Sequence, residues 1–283
     1  ASGMMEPSTA CASDLGFTLV LMGELRRGLA TMRDADSGAD ATGHPPTIIY
    51  ATSNMLRIGM ILEDRAILAA VAAKMGELGE RLGAPRFSAY ALMAEGWSRM
   101  QDGNEEGIAM FREGHDIMLS YGHHTYTPYS AAQLAAAWLR LGQVERARRV
   151  LNEGFELLDR SGARWCEAEL HRLQGELAAA PNRGRRKVAR AGAAEAAASY
   201  RRSIEVASLQ GARWWEVRAC FRLAALLPAV ERAEATRRLA ELHAGLDDGS
   251  DVAELHAVRA FLAQAKNNPL LSKEGARGRS SPY

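Results

Sequence analysis

The sequence is poor in aromatic residues (6%) and has only three cysteines among 283 residues, and its 35 Lys+Arg are almost cancelled by 34 Asp+Glu. Each shortage excludes something. A dedicated polyelectrolyte binder of nucleic acid or acidic lipid concentrates uncompensated positive charge, which this chain does not have. An odd, scattered set of cysteines builds no disulfide framework and fits a reduced, cytoplasmic protein. No stretch approaches the ~18 consecutive apolar residues of a membrane span. The best run, Leu15 to Gly23, is interrupted by Thr18 and preceded by Glu6 and Asp14, not by the basic start of a secretory signal. No window alternates with period two and β-branched enrichment, so strands are not expected. A Gly-x-x-x-x-Gly-Lys-[Ser/Thr] loop is also missing, and with it any cradle for a nucleotide phosphate. What is present is 47% hydrophobic and 24% charged residues, the balance of a chain that can bury a core.

That composition is organised as a repeat. The block Gly-Ala-Arg-Trp-x-Glu occurs at Gly162 to Glu167 and again at Gly211 to Glu216, and a landmark glycine recurs upstream at Gly43, Gly83 and Gly122. The unit is about 40 residues, and the longer last step contains a polar, basic insertion from Pro181 to Ala191. Fifteen residues before several landmarks begins a small–large–small triplet: Gly28–Met32–Ala35, Gly107–Phe111–Gly114, Ala147–Leu151–Gly154 and Ala196–Tyr200–Ser203. The i, i+4, i+7 spacing puts each triplet on one helical face, with small residues where a neighbouring helix comes close.

Each unit reads as two helices. The first follows the landmark, as in Tyr126 to Leu141 with Thr127 as N-cap and Pro128 at the first helical position. The second, from Gln143 to Arg160, stops at Gly162, which tolerates the left-handed conformation. Gly103, Gly142 and Gly192 mark the turns between the two helices. The expected fold is all-α, a right-handed α-solenoid of about twelve helices over residues 11–264, with units ending near 43, 83, 122, 162 and 211 and a C-terminal cap. Residues 1–10 and 265–283 are expected to be disordered, and 181–191 to form a basic loop.

A helix–turn–helix unit with this packing triplet resembles the tetratricopeptide repeat (TPR), usually ~34 residues long; about six more lengthen each helix by roughly one turn. Gly162-Ala-Arg-Trp-Cys-Glu-Ala-Glu-Leu, Gly211-Ala-Arg-Trp-Trp-Glu-Val-Arg-Ala and Glu106-Gly-Ile-Ala-Met-Phe-Arg-Glu-Gly are similar to the C-terminal TPR region of bacterial proteins that join a cyclase domain, a STAND-type ATPase and a repeat array. The resemblance covers roughly residues 20 to 264. It implies a regulatory or sensing array whose enzymatic domains lie outside this chain. The lack of Met at position 1 and an incomplete first unit point to a truncated or processed chain.

Partner binding is the expected task, with the first helices lining a concave face. Candidate contacts there are Arg164, Trp165, Glu169, Arg172, Arg213, Trp214 and Arg218. Trp and Arg act as hot spots when they grip a partner, but Phe87 and Tyr126 fall in nearly the same slot as the tryptophans, which suits a packing knob between units equally well. No catalytic set, metal site or cofactor is expected. His123, His124 and His171 lack the further ligands a metal needs, Cys11, Cys166 and Cys220 read as buried small residues, and no nucleophile elbow is present. The expected partner is a protein, a peptide or another domain of a parent signalling protein, without membrane or nucleic acid. Self-association and an enzyme with a site inside the superhelix are the alternatives.

Overall fold

The computed structural model describes residues 6–180, 186–247 and 252–266. Among them every regular element is helical: α1 (Pro7–Leu21), α2 (Leu25–Thr42), α3 (Pro45–Leu62), α4 (Arg65–Leu82), α5 (Pro85–Gln101), α6 (Glu105–Ser120), α7 (Thr127–Arg140), α8 (Val144–Ser161), α9 (Glu167–Ala179), α10 (Arg186–Gln210), α11 (Arg213–Leu226), α12 (Ala229–Ala244) and α13 (Ala253–Lys266), with a 3-10 turn at Arg164–Cys166 leading into α9. Consecutive helices pack in adjacent pairs, α1 with α2, α5 with α6, α7 with α8 and α9 with α10, the arrangement of an α-solenoid. The second helices α2, α4, α6, α8 and α10 end at glycines in the left-handed region, Gly162 at φ 66° for instance, where a side chain would be strained.

The small–large–small triplets are the seams of these pairs. Met32, Phe111, Leu151 and Tyr200 are all buried. Beside Phe111 the chains of α5 and α6 nearly touch: a Cβ on Gly96 would lie 2.6 Å from the Phe111 nitrogen and 2.8 Å from the Gly107 oxygen. Gly154 is less confined, since a Cβ there meets only Ala131 and Leu170 carbons at 3.4 Å and the Pro128 oxygen at 3.5 Å.

The row does not stay open. Its first unit meets much later ones: α1 touches α11, and the Phe17 ring stands edge-on to Trp165, just before α9, with centroids 5.2 Å apart. Asp247, after α12, receives the Arg26 and Arg27 amides at 2.9 and 3.2 Å, capping α2 across the whole array. The cap stands in for Glu24, whose side chain makes no such bond. Closing the row encloses the first helices, and every residue of α3 from Ala51 to Leu62 is buried.

Several boundaries differ from expectation. Helix α1 begins at Pro7, inside the segment expected to be disordered, because Glu6 accepts the Ser8 and Thr9 amides at 3.1 and 2.7 Å; residues 1–5 lie outside the described residues. Of the insertion, 181–185 also lie outside, while 186–191 belong to α10. Gly192 is therefore interior to a helix and not a turn, since the surrounding run of alanines carries the helix through one glycine. Tyr126, not Thr127, is the N-cap of α7, with no side-chain bond. Of the tail expected to be disordered, 265 and 266 belong to α13, and residues 267–283 lie outside the described residues.

Candidate functional site

The first helices run side by side, and their inner faces leave two cavities, one toward each end, with a packed plug between them. The plug is built from Leu56, Met60, Met93 and Tyr129, around a void of about 20 Å³. Toward the C-terminal ends of α3, α5, α7, α9 and α11 lies a cavity of about 370 Å³ lined by charged and polar side chains. Trp97, whose Nε1 donates to Gln133 Oε1 at 2.9 Å, forms part of its wall.

Glu169 is the centre of the charge arrangement, 1% exposed. Its carboxylate receives Arg172 Nε and Nη2 at 2.7 and 2.8 Å and Arg218 Nη1 at 3.0 Å. Arg172 Nη1 also donates to Glu176, which takes Arg222 Nε at 3.0 Å. Arg222 pairs with Glu254 of α13 at 2.9 Å, and Arg218 lies 3.5 Å from Glu63 and 3.6 Å from Glu254. Units that are distant in sequence are thus joined by one network of alternating charge.

The network favours the charged forms of Arg172, Glu176 and Glu254. Burial works against the charge of Arg172, but Glu169 and Glu176 outweigh it and hold the guanidinium well above its ordinary value. Burial likewise pushes the Glu176 and Glu254 carboxyls up, and the neighbouring arginines overcome it and leave both below the usual range. Arg140 lines the same cavity and makes no ion pair or hydrogen bond among the described residues.

Glu63 occupies a special backbone position. It is the C-cap of α3 with φ 58°, the one non-glycine residue in the left-handed region among the described residues. The matching turns at Gly23, Gly103 and Gly142 use glycine. A side chain there costs about 1–2 kcal/mol, and this one reaches the cavity.

Of the residues singled out in the sequence, the structure brings Glu169, Arg172 and Arg218 together here and places the others elsewhere. Arg164 is exposed and pairs with Asp159 at 2.9 Å. Trp165 packs against Phe17, Tyr126 and Tyr129 and donates to the Thr125 oxygen at 3.0 Å. Arg213 donates to the Gly245 oxygen at 2.7 Å, and Trp214 is fully buried. Cavity members not foreseen are Glu63, Arg140, Glu176 and Arg222. Of the cysteines, Cys166 and Cys220 are buried, the thiol of Cys220 pushed up to about 12 first by burial and then by Glu216, whereas Cys11 is exposed, contrary to the buried reading. His171 leans on the Phe155 ring, centroids 5.1 Å apart. No group of three or more potential metal ligands occurs among the described residues, and no helix among them is long and apolar enough to cross a membrane. No protein-family model matches this sequence, and no curated protein matches it significantly.

Proposed function

We propose that the chain is a binding module: a right-handed superhelix of TPR-like units of about 40 residues that holds a protein or peptide partner, in the cytoplasmic signalling context that the resemblance implies. The observation that carries this reading is the cavity of about 370 Å³ into which Glu169, Arg172, Arg218 and Arg222 converge. Its volume suits one or two inserted side chains or a chain end, not a folded domain, and polar groups at fixed positions confer selectivity in such sites. Arg140, unpaired at its wall, is the group with charge to offer, so the inserted group is acidic.

An enzymatic role has less support. Glu176 and Glu254 are held ionised by arginines, so neither has the raised pKa that suits a general acid near neutrality. Self-association is the second reading, favoured by Leu209 at 81% exposure and Tyr121 at 51%; light scattering over a concentration series separates it from a monomeric binder. The binding reading is tested by fluorescence anisotropy with labelled acidic, basic and neutral peptides of one length. Binding of the acidic peptide, abolished by Arg140→Glu with helicity unchanged, is the expected result. Equal binding of all three peptides, or indifference to the substitution, contradicts it.

A further inference from the structure

Toward the N-terminal ends of α3, α5 and α7, beyond the plug, lies a second cavity of about 350 Å³. Its basic groups are Arg57 of α3, Arg86 of α5 and His123 before α7, and its walls include Tyr50, Tyr90 and Tyr126. No carboxylate lines it. The contrast with the first cavity is direct: there each buried guanidinium has a glutamate, here none does.

Arg57 is the most informative residue. It is 4% exposed, yet its guanidinium donates only to neutral groups, Asn54 and the Ser53 hydroxyl at 3.1 Å, and lies over the Tyr126 ring. The nearest acid, Asp14, is beyond ion-pair distance, its carboxylate occupied by the Tyr50 hydroxyl at 2.8 and 2.9 Å and by Asn54 Nδ2 at 3.3 Å. A cation taken out of water without an anion in contact is costly. Arg86 is half-buried and has no ion pair or hydrogen bond among the described residues. The positive field of the pocket registers on His123, which is lowered first by burial and then by Arg86, Arg57 and His124. Three tyrosine rings supply flat apolar walls around this unbalanced charge.

We propose that this pocket binds a small organic anion with a flat apolar body, its carboxylate or phosphate held by Arg57 and Arg86 and its body packed among Tyr50, Tyr90 and Tyr126. The inference does not rest on the partner reading of the other cavity. Two guanidiniums on one pocket match a bidentate oxyanion, and the volume lies in the range of small-molecule sites.

The test titrates the intact chain with 2-naphthoate, 2-naphthyl phosphate and the neutral 2-naphthamide, followed by calorimetry. At least one anion binds, and the amide binds about tenfold more weakly or worse, the loss expected when a charge-assisted contact goes. Whichever anion binds more tightly identifies the head group. Arg86→Ala, which removes no internal partner, weakens the anions by about tenfold with circular dichroism unchanged; Arg57→Met does the same if it folds, and Arg86→Ala decides alone if it does not. Arg140→Ala, in the other cavity, leaves these affinities unchanged and keeps the two sites distinguishable. No binding by either anion, amide binding as tight as the anions, or unaltered affinity in Arg86→Ala overturns the proposal.

Discussion

Replacing Glu169 by glutamine is the sharpest perturbation of the charged cavity. The amide keeps the shape of the side chain but not its charge, and it turns one acceptor into a donor facing a guanidinium. Three contacts are affected, at 2.7, 2.8 and 3.0 Å, all on a residue 1% exposed. Removing one member of a buried ion pair costs about 3–5 kcal/mol because the other charge is left uncompensated. Here part of the loss is absorbed: Arg172 retains Glu176, and Arg218 retains Glu63 at 3.5 Å and Glu254 at 3.6 Å. The low end is therefore expected, about 3 kcal/mol, which at a urea m-value of about 3 kcal/mol/M moves the midpoint by about 1 M. Unfolding followed by circular dichroism and by tryptophan fluorescence measures it. Combining Glu169→Gln with Arg172→Met closes a double-mutant cycle, and a loss about 1–3 kcal/mol smaller than the sum of the single losses is expected. If Glu169→Gln lies within about 1 kcal/mol of the wild type, or the two losses simply add, Glu169 and the arginines are not one desolvated, mutually dependent unit.

The helix seams give a paired forecast. Gly96→Ala forces a Cβ to 2.6 Å from the backbone of α6 and should cost about 1–3 kcal/mol, whereas Gly154→Ala finds only contacts of 3.4 Å and longer and should be neutral or gain up to about 1 kcal/mol of helix propensity; a reversed order in urea midpoints refutes the seam geometry. Glu63→Gly relieves the left-handed strain while losing one contact of a side chain 44% exposed, so melting should stay unchanged or rise, and a loss above about 1 kcal/mol would make Glu63 structural. In pH titration, Glu176 and Glu254 have depressed carboxyls, so their contribution is complete above about 4.5 and is lost as pH falls from there through their folded-state values; a midpoint that declines already between pH 7 and 5, or stays flat to pH 3, contradicts the sign.

Much of the fold is local and therefore legible. Landmark glycines, prolines at helix starts and the i, i+4, i+7 triplets act within one or two turns of chain, so the helix pairs and their boundaries near Gly43, Gly83, Gly122 and Gly162 can be read directly. The same local logic misplaced Gly192, because a single glycine signal competes poorly with a long alanine-rich helix. The site was legible only in part. Seven residues past the successive landmarks stand Tyr50, Tyr90, Tyr129, Glu169 and Arg218, one equivalent position on neighbouring first helices. Opposite charges at the last two of these were the available signal for the network.

The amino-acid sequence by itself determined an all-helical array of paired helices and nominated Glu169, Arg172 and Arg218, because periodicity and capping are properties of short segments. Tertiary structure alone decided that the row closes. Asp247 capping α2 and Phe17 meeting Trp165 are encounters between residues far apart in the chain, and no local pattern encodes them. The packing of neighbouring first helices leaves two cavities and brings no carboxylate to the one that Arg57 lines, while Arg218 meets Glu63 and Glu254 from either side of the array. Which guanidinium is balanced and which is not follows from that three-dimensional juxtaposition, since charge interactions depend on distance and burial and not on sequence order.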